Sequence, residues 1–502
     1  MTKHKWSKQQ QSIFNWFESG AGNLVVRARA GTGKTTTILE GINRAPDENI
    51  LLAAFNKRIA DELSQRCTNQ NASVKTLHAL GYAFVRRQWN ELGPIEVDAR
   101  RTLGLLYEHA KAEHLPYIGK LPARWIASLA TLMKELYPFD ATQPDLIEQT
   151  GLDYGTLTDL YRVGWGFQKV LPLVQTCIEK SKAYTGKVDY ADMLFLPLVL
   201  EMTEPLFDLV VVDEAQDMNR AQLDLALASC TEEGRVCVVG DDRQAIYGFR
   251  GADSGAIDRM KEQLQADELP LTETYRCPQA VVREANRLVP DLVSNKKEEG
   301  SVSVVRTDSE LLKLASKGDF ILSRLNAPLA HTCLVFLTNN IPARIVGRDV
   351  GEALQTHIDK QARHEDTDKI GDFLVDLQGY EVSTVRALDE ADRPEAIEAF
   401  LDMTHTIRTL ASEGCLTVGD LRTRIKTLFV DTPPEDMVVL STVHKAKGLE
   451  ADRVFILKHT LYNFNVSDEE TNIEYVAITR AKKDLVWVGE QYGNAKRKAG
   501  VK

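Results

Sequence analysis

Largely apolar residues in the first half of the chain fall into short runs that end in polar or glycine-rich segments. Four such runs lie at residues 23–27, 50–55, 207–212 and 235–239. Nearly continuous apolar runs of this length are typical of strands that are buried on both faces of a parallel sheet. The pattern therefore predicts parallel strands at these positions.

The second half repeats the arrangement, with apolar runs at residues 319–322, 437–440, 453–457 and 485–488. Helix-like stretches separate several of them, which predicts a second parallel sheet flanked by helices. No second glycine-rich loop of the kind described next accompanies this sheet. With 502 residues the chain is long enough for about two to four domains, and its predicted fold class is α/β.

The first apolar run leads into ARAGTGKT at residues 28–35, which is typical of a phosphate-binding loop. Gly31 and Gly33 allow backbone N–H groups to face phosphate oxygens at a helix N-terminus, where the partial positive charge favours an anion. We expect Lys34 to reach the β- and γ-phosphates and the Thr35 hydroxyl to bind Mg²⁺. The alternative is an ordinary strand–turn–helix corner.

The run at 207–212 delivers Asp213 and Glu214 at the predicted C-terminal end of a parallel strand, within FDLVVVDEAQDMN. Ligands of open α/β sheets bind at this end of the strands. Asp213 suits a water-mediated Mg²⁺ contact, and Glu214 suits activation of the water that attacks the γ-phosphate. Such an acidic pair alone is more often a solvated helix cap, but combined with the phosphate loop it predicts an NTPase.

The run at 235–239 ends in GDDRQAIYGFRGA, a segment that combines two kinds of chemistry. The amide of Gln244 can lie against a γ-phosphate, whereas Tyr247, Phe249 and Arg250 can stack on bases or contact a nucleic-acid backbone. Core packing is the alternative for the two aromatic residues, although the glycines that flank them favour an exposed loop.

Polar residues also follow two other strands. Asn56 and Lys57 come after the run at 50–55, and Thr76 and His78 come after a further short run. Short polar groups and an aromatic ring at strand ends suit contacts to phosphates and bases. They are candidates for a nucleic-acid interface.

Composition limits the partners of such a chain. Apolar (43%) and charged (26%) contents are ordinary for a globular protein, and no stretch is apolar for the ~20 residues of a membrane span. A net charge of −11 by itself argues against nucleic-acid binding, but a local basic groove can lie on an acidic body.

The seven cysteines include no CxxC pair, so we expect reduced thiols and no zinc or iron–sulfur site. The polar N-terminus lacks the apolar core of a signal peptide, and we expect cytoplasmic residence.

The chain resembles superfamily 1 DNA helicases of the UvrD/Rep type nearly from end to end. Besides the three segments above, the resemblance rests on further motifs in the family's order. These are WSKQQQSIF (6–14), AAFNKRIADEL (53–63), TLHAL (76–80), VDYADML (188–194), LTETYRCP (271–278), LSTVHKAKGLE (440–450) and EETNIEYVAITRAKK (469–483). The resemblance implies two RecA-like P-loop NTPase motor domains that use ATP and Mg²⁺.

The same resemblance implies a role for each matching residue. Residues implied to bind ATP are Gln10, Ala30, Gly31, Thr32, Gly33, Lys34, Thr35, Thr36, Tyr275 and Glu450. Residues implied to act in hydrolysis are Lys34, Glu214, Gln244, Arg276 and the arginine finger Arg480, and those implied to hold Mg²⁺ are Thr35 and Asp213. Residues implied to contact DNA are Phe55, Asn56, Lys57, Thr76, His78, Tyr247, Phe249, Arg250, Thr442 and His444. Without the family, a surface ion pair is the alternative for Arg480.

The family's organisation implies two motor domains, each with a mainly helical insertion. The expected segments are 1–85 and 188–275 for motor domain 1A, 86–187 for insertion 1B, 276–349 and 436–502 for motor domain 2A, and 350–435 for a reduced accessory insertion 2B. The lobes are expected to close on ATP and reopen after hydrolysis, giving steps along single-stranded DNA. The resemblance implies 3′-to-5′ movement. We expect no further C-terminal domain, because the chain ends shortly after the last predicted strand.

The sequence departs from the family's pattern at several positions. Thr36 stands where an arginine often packs on the adenine, and Phe249 stands where tryptophan is common. Thr471 and Asn472 replace two usual arginines, a variant that resembles the F-box helicase branch. We expect weaker base selectivity and a smaller stacking area from the first two changes.

The residues leave several activities open. Expected partners are single-stranded DNA and junctions between single and double strands, with possible protein partners in repair, recombination or defence, and no membrane. One alternative is a translocase that strips proteins from DNA and separates strands poorly. Another is a nucleotide-controlled DNA-binding subunit of a larger complex. A P-loop kinase or transporter ATPase is poorly supported, since it leaves the second sheet unexplained.

Overall fold

The structure is a computed structural model that divides into two compact units, unit 1 (Met1–Leu271) and unit 2 (Thr272–Lys502). It describes residues 5–19, 21–115, 118, 120–137, 167–246, 255–360, 365–389, 394–411, 414–431, 436–461 and 467–489. Each unit contains a parallel sheet flanked by helices, which confirms the predicted α/β class. No helix in these ranges is both long enough and apolar enough to cross a membrane.

Unit 1 contains a six-stranded sheet in the order β3-β2-β6-β7-β1-β8, and all neighbouring strands are parallel. Its strands, with the short pair β4 and β5, are β1 (Leu24–Ala28), β2 (Ile50–Ala54), β3 (Ala72–Thr76), β4 (Glu96–Val97), β5 (Lys187–Val188), β6 (Phe207–Val212), β7 (Cys230–Gly240) and β8 (Asp267–Leu271). Its described helices are α1 (Lys8–Ser19), α2 (Lys34–Arg44), α3 (Lys57–Arg66), α4 (Leu77–Trp89), α5 (Arg101–Ala112), α6 (Lys120–Glu135), α7 (Phe167–Ser181), α8 (Tyr190–Val199), α9 (Arg220–Ala228) and α10 (Ala256–Leu264).

The central strands of unit 1 are largely apolar because helices cover both faces of the sheet. Alternate residues of one strand belong to different hydrophobic clusters: Val25 packs with α4, α9 and α10, whereas Leu24 and Val26 pack with α1, α2 and α3. A strand that is buried on both sides has no polar face, so its sequence loses the usual alternation. The four runs predicted in this half are all confirmed as strands.

The parallel arrangement brings the polar strand ends of unit 1 to one edge of the sheet. The phosphate loop follows β1, Asn56 follows β2, and Thr76 ends β3. Asp213 follows β6, and Asp241 follows β7. Residues far apart in sequence therefore share the edge where α/β sheets bind ligands.

The stretch predicted as the first helical insertion contains α5, α6 and α7 in its described part, and these helices share a hydrophobic core of their own. A buried group of charges ties these helices to α8. Lys134 Nζ lies 2.8 Å from Asp192 Oδ1 and 3.3 Å from Asp189 Oδ2, and it donates to Thr102 Oγ1 at 2.9 Å. Arg101 pairs with Asp192 as well. We name these five residues the Lys134 cluster.

Unit 2 contains a seven-stranded parallel sheet in the order β11-β17-β16-β12-β15-β13-β14. Its strands, with the separate pair β9 and β10, are β9 (Glu273–Thr274), β10 (Val293–Ser294), β11 (Ser301–Val305), β12 (Phe320–Ser323), β13 (Ala343–Val346), β14 (Phe429–Val430), β15 (Val438–Thr442), β16 (Ala451–Leu457) and β17 (Ala481–Val488). Its described helices are α11 (Gln279–Ala285), α12 (Asp308–Leu314), α13 (Asn326–Thr338), α14 (Arg348–Lys360), α15 (Ile370–Asp389), α16 (Pro394–Ala411), α17 (Val418–Leu428), α18 (Val443–Ala446) and α19 (Asp468–Ile478).

The four apolar runs of the second half correspond to β12, β15, β16 and β17. The stretch 350–435 is largely helical, and its helices contribute Leu354, Phe373, Ile407 and Leu421 to the same hydrophobic cluster as the sheet residues of unit 2. The described helices of this stretch therefore help to form the core of unit 2.

Candidate functional site

The phosphate loop of unit 1 has the backbone geometry that its glycines allow. Gly31 and Gly33 have φ angles of 70° and 77°, in the left-handed region that side chains disfavour. Gly33 immediately precedes α2, and no side chain caps this end of the helix. The first backbone N–H groups of α2 thus follow a loop of the kind that accommodates phosphate oxygens.

Lys34 at the start of α2 pairs with Glu214, which follows β6. The Lys34 Nζ lies 3.1 Å from Glu214 Oε2, and the Glu214 side chain is 25% exposed. Burial opposes the charge of Lys34, but Glu214, Asp241 and Asp213 together hold its pKa above the ordinary value. Lys34 is therefore a cation at neutral pH.

Glu214 has a backbone conformation that is uncommon for a residue with a side chain. Its φ of 54° and ψ of 42° lie in the left-handed region, which costs free energy for any residue other than glycine. Strain of this kind concentrates at functional sites, where the surrounding structure enforces it. The turn directs a carboxylate toward Lys34 directly after the buried strand.

Asp213 and Thr35 have the chemistry that Mg²⁺ requires. Asp213 is buried, and its Oδ1 accepts a hydrogen bond from the Glu214 backbone N–H at 2.9 Å. Burial and the neighbouring Glu214 raise the pKa of Asp213 to about 7, so a nearby divalent cation would favour its ionised form. A carboxylate and a hydroxyl, completed by substrate phosphates and water, fit the oxygen coordination that Mg²⁺ prefers.

A continuous chain of polar contacts runs from Lys34 to Gln244. Gln216 Nε2 donates to Glu214 Oε2 at 2.6 Å, and its Oε1 accepts from the Asp241 backbone N–H at 3.0 Å. Gln244 Nε2 donates to Asp241 Oδ2 at 2.5 Å. We name these five residues the polar chain. It brings Gln244, predicted to face the γ-phosphate, into the network of Glu214, predicted to activate water.

Gln216 and Arg29 are members of this site that the sequence reasoning missed. Gln216 has no exposed surface, and Arg29 contacts the carboxylates of Asp241 and Asp242 from the phosphate loop. The signal for Gln216 was its place two residues after Glu214. The signal for Arg29 was a charged residue at the end of a buried strand.

Gln10 of α1 lies beside the phosphate loop. Its Nε2 donates to Thr37 Oγ1 at 3.0 Å, and the Thr37 hydroxyl donates to Gly33 O at 2.9 Å. Its Oε1 accepts from the Ser7 backbone N–H at 3.0 Å. The structure thus brings Gln10 next to the residues expected to hold phosphate, while its role in reading adenine stays a prediction.

The other predicted ATP residues of unit 1 belong to the loop itself or to the first turn of α2. Ala30 and Thr32 are buried, and the Thr32 hydroxyl donates to Arg29 O at 2.8 Å. Thr36 Oγ1 accepts a hydrogen bond from Arg66 Nη2 at 3.3 Å. An arginine from α3 therefore approaches the position where the family often has its own arginine.

In unit 2 the predicted catalytic arginines both bond to groups of that unit. Arg276 Nε lies 2.7 Å from Glu450 Oε2, and Tyr275 beside it is half-buried. Arg480 is only 1% exposed, and it donates from Nε to Val476 O at 2.9 Å. Burial and the nearby Arg276 lower its pKa to about 9. The alternative of a surface ion pair for Arg480 is therefore wrong.

Several predicted DNA contacts cap helices. The side chains of Asn56, Thr76 and Thr442 accept hydrogen bonds from the first turns of α3, α4 and α18. Capping alone accounts for a side-chain oxygen at these three positions. Asn56 and Thr76 follow paired strands of one sheet, since Ala54 pairs with Thr76 in the register of β2 and β3, so these two lie near each other.

The remaining predicted DNA contacts differ in exposure. Lys57 is exposed, while Phe55, His78 and His444 are half-buried. Tyr247, Phe249 and Arg250 lie outside the described residues.

Tyr190, which the sequence reasoning did not select, is 58% exposed at the start of α8. Its ring centroid lies 6.4 Å from that of His78 in an edge-to-face arrangement. An exposed aromatic ring beside predicted contact residues suits base stacking. The signal in the sequence was an aromatic residue directly after the capping Asp189.

The fold and the site together define a P-loop nucleotide-binding protein with two parallel-sheet units. The family model described as "UvrD/REP helicase N-terminal domain" matches residues 6–265, and the one described as "UvrD-like helicase C-terminal domain" matches residues 383–490. This chain therefore belongs to the UvrD/REP helicase family.

Several relatives are similar to this chain. The chain is 27% identical to F-box DNA helicase protein 1 of Schizosaccharomyces pombe, over 92% of this chain and 55% of that protein. It is 26% identical to the ATP-dependent DNA helicase PcrA of Staphylococcus aureus, over 58% of this chain and 40% of that protein. The PcrA of Staphylococcus epidermidis matches to the same extent. The chain thus spans about half of the length of these relatives, or less.

Proposed function

We propose that this chain couples ATP hydrolysis to movement along single-stranded DNA and to unwinding of duplex DNA. The observation that carries the proposal is the contact of Lys34 with the strained Glu214 beside a glycine-rich phosphate loop. The family match supports it, as do the relatives named DNA helicases. Movement from 3′ to 5′ is part of the proposal and rests on the resemblance alone.

The hydrolysis step follows from the residues of unit 1. Lys34 would exchange its contact with Glu214 for the β- and γ-phosphates, since phosphate carries more negative charge than one carboxylate. The carboxylate of Glu214 would then accept a proton from the attacking water. Mg²⁺, held through Thr35 and Asp213, would neutralise charge on the phosphate oxygens. Gln244 would sense the γ-phosphate and pass its presence along the polar chain.

Residues of unit 2 complete the proposed chemistry. Arg276 and Arg480 would stabilise the charge that develops on the transferring phosphoryl group, as arginine fingers do. Glu450 and Tyr275 would bind the nucleoside. Arg276 pairs with Glu450, and Arg480 donates to a backbone carbonyl, so on binding ATP both arginines would exchange these partners for phosphate oxygens.

The proposed DNA interface comprises the polar and aromatic groups at the C-terminal edge of the unit 1 sheet. Lys57 and Tyr190 are exposed there, and the ring of His78, in the first turn of α4, lies beside the Tyr190 ring. Burial lowers the pKa of His78, so the ring is neutral at pH 7 and suited to stacking on bases. Stacking and phosphate contacts tolerate any sequence, as movement along DNA requires.

The proposal is tested by Glu214→Gln, which keeps the shape of the side chain but removes the proton acceptor. We expect ATP binding close to that of the parent and hydrolysis reduced by about 10²–10⁴-fold with single-stranded DNA present. Lys182→Ala serves as the control, because its exposed ammonium pairs with Glu179 away from the loop. Hydrolysis at the parent rate in Glu214→Gln would contradict the assignment of the base.

Duplexes with a single-stranded tail at either end test the motor part. We expect the parent protein to unwind the duplex with a 3′ tail in an ATP-dependent manner and to leave the 5′-tailed duplex intact. ATPase activity that DNA does not stimulate would contradict a DNA motor. Unwinding of the 5′-tailed duplex alone would reverse the proposed direction.

A translocase that separates strands poorly is the second candidate. It is favoured by the short stretch 350–435, whose described helices contribute to the core of unit 2. Strong stimulation of ATPase by single strands, with neither tailed duplex unwound and with bound proteins displaced from DNA, would select this candidate.

A further inference from the structure

Arg29 lies at the junction of β1 and the phosphate loop, and its guanidinium reaches across to the neighbouring strand. Its Nη1 lies 3.2 Å from Asp241 Oδ1 and 2.7 Å from Asp242 Oδ1. The parallel register of β1 and β7 pairs Arg27 with Gly240, so Arg29 comes level with the first residues after β7. One cation thus joins two loops that are more than 200 positions apart in sequence.

The two carboxylates that Arg29 contacts differ in their other partners. Asp242 also has Arg27, whose Nη1 lies 3.4 Å from its Oδ1. Asp241 has no exposed surface, and the arginine in direct contact with it is Arg29. Burial raises the pKa of Asp241, while Lys34 and Arg29 oppose this. Loss of Arg29 would therefore leave Asp241 as a buried carboxylate without a direct cation, which is a costly arrangement.

Asp241 is also the residue that organises the side-chain amides of the polar chain. Its backbone N–H donates to Gln216 Oε1, and its Oδ2 accepts from Gln244 Nε2. A Cβ added at Gly240 would lie 2.6 Å from Gln216 Oε1, so the space around this amide is narrow. A shift of Asp241 would consequently move both amides. Because Gln216 also donates to Glu214, the Glu214 carboxylate would move as well.

We propose that Arg29 is a positioning residue for ATP hydrolysis: it fixes Asp241, and Asp241 fixes the amides of Gln216 and Gln244. The inference rests on the proposed ATPase function. Arg29 itself need not touch the nucleotide, because its guanidinium is engaged with Asp241 and Asp242. Its effect would reach Glu214 and Gln244 through the polar chain.

Arg29→Met tests the inference, with Arg27→Met as the matched control. Arg27 lies two residues earlier, within β1, and also pairs with Asp242, but it is not the arginine that contacts Asp241. We expect Arg29→Met to lower kcat for DNA-stimulated hydrolysis about 100-fold, the size of a roughly 1 Å misplacement. Its KM for ATP should stay within about threefold, because binding by the loop is retained. Arg27→Met should keep kcat near that of the parent.

A double substitution separates positioning from general stability. Asp241→Asn removes the buried charge, so Arg29→Met combined with Asp241→Asn should have a higher kcat than Arg29→Met alone. A merely structural arginine would show the same recovery in thermal stability, because the two residues are in contact, but kcat of the folded protein would not recover. Arg29→Lys keeps the charge and replaces Arg29→Met if that variant does not fold.

Hydrogen exchange gives a readout that does not depend on hydrolysis. In the nucleotide-free protein, the amides of residues 241–246 should exchange about tenfold faster in Arg29→Met and at the parent rate in Arg27→Met. Unchanged exchange, or an unchanged kcat in a folded and active Arg29→Met protein, would overturn the inference. A parent protein without ATPase activity would instead overturn the proposed function, while the exchange experiment would still decide the role of Arg29.

Discussion

Two lysines of unit 1 that are largely shielded from solvent pair with carboxylates: Lys34 beside the phosphate loop, with a 10% exposed side chain, and the fully buried Lys134 in the helical insertion. Their surroundings differ in kind. An ammonium group has three N–H donors. The Nζ of Lys134 has three oxygen partners, from Thr102, Asp189 and Asp192. In the described part of the chain, the Nζ of Lys34 contacts one carboxylate, that of Glu214. Lys34 thus retains donors for a ligand, whereas Lys134 is satisfied.

The backbone is also unstrained near Lys134 and strained near Lys34. Asp189 and Asp192 form a capping box at the start of α8, which is an unstrained helix terminus. Glu214 has a left-handed conformation, and Lys34 follows a loop with two left-handed glycines. The comparison teaches that buried ion pairs alone do not identify a ligand site. Strain and unused hydrogen-bonding capacity beside a sheet edge are better indicators.

The Lys134 cluster nevertheless contributes to the proposed function from a distance. Asp189 caps the helix whose first residue is Tyr190, so the cluster holds the exposed ring beside His78. In the proposed function, the cluster would position the DNA interface and the site of Lys34 would perform the chemistry.

The largest expected effect is on stability, from Lys134→Met. Removing the cation leaves the buried carboxylates of Asp189 and Asp192 with the single arginine Arg101, which pairs with Asp192. Breaking a buried ion pair in this way costs about 3–5 kcal/mol. Chemical denaturation should show this loss, and nucleotide affinity should be unchanged below the transition. Lys182→Met, which breaks an exposed pair, should change the free energy of unfolding by less than about 1 kcal/mol. Equal losses in Lys134→Met and Lys182→Met would show that burial of the Lys134 cluster adds nothing to stability.

Lys34→Met should lose much of the hydrolysis rate and little stability, the opposite of Lys134→Met. Hydrolysis should fall about 10²–10³-fold, because the phosphates lose a preorganised charge, while stability should fall less than in Lys134→Met. The partner carboxylate of Lys34 is a quarter exposed and water can solvate it. The checks are the ATPase rate and thermal unfolding on the same samples. A larger loss of stability than of activity would make Lys34 a structural lysine.

The pH dependence of stability, an effect of intermediate size, should also distinguish the site of Lys34 from the Lys134 cluster. The folded protein holds the pKa of Asp213 near 7, above the ordinary value of 3.8. A carboxyl whose pKa is raised on folding contributes stability that is lost as pH rises through the interval between these values. Without divalent cations, stability should therefore fall between pH 5 and pH 7, and Asp213→Asn should flatten this dependence.

Asp189 serves as the control for that measurement. Burial opposes its charge, but Lys134 and Thr102 hold its pKa below the ordinary value. Its contribution is therefore complete above pH 4 and is lost only at lower pH. Asp189→Asn should shift the stability curve without changing its slope between pH 5 and pH 7.

The smallest expected effect concerns the proposed DNA interface beside the Lys134 cluster. Tyr190→Ala should weaken binding of single-stranded DNA by about 1–3 kcal/mol, with ATP affinity unchanged. Tyr190→Phe keeps the ring and should bind like the parent. Fluorescence anisotropy with a labelled oligonucleotide measures both. Equal affinity for all three proteins would place DNA elsewhere on the surface.

Local features of the sequence were enough for the eight strands that carry apolar runs, the phosphate loop and the fold class, but not for more polar strands such as β8. A strand buried on both faces loses the usual polar alternation, and only glycine accepts φ angles near 70° without strain, so both appear directly in the letters at 50–54 and at Gly31 and Gly33. The acidic pair at 213 and 214 was predictable for a similar reason, since polar groups can follow a buried strand only where it ends.

Tertiary structure alone decided which charges meet. Arg29 contacts Asp241 because β7 lies beside β1 in the strand order, and no local propensity encodes that order. The letters around Arg480 indicate an ordinary exposed arginine, yet packing buries its side chain against backbone carbonyls. Nothing in the sequence distinguishes Lys134 from other helix lysines. Its burial results from contacts with Thr102 of α5 and Asp192 of α8. Burial of a charge depends on neighbours that are distant in sequence, and its cost is settled only when the fold brings their oxygens within bonding distance.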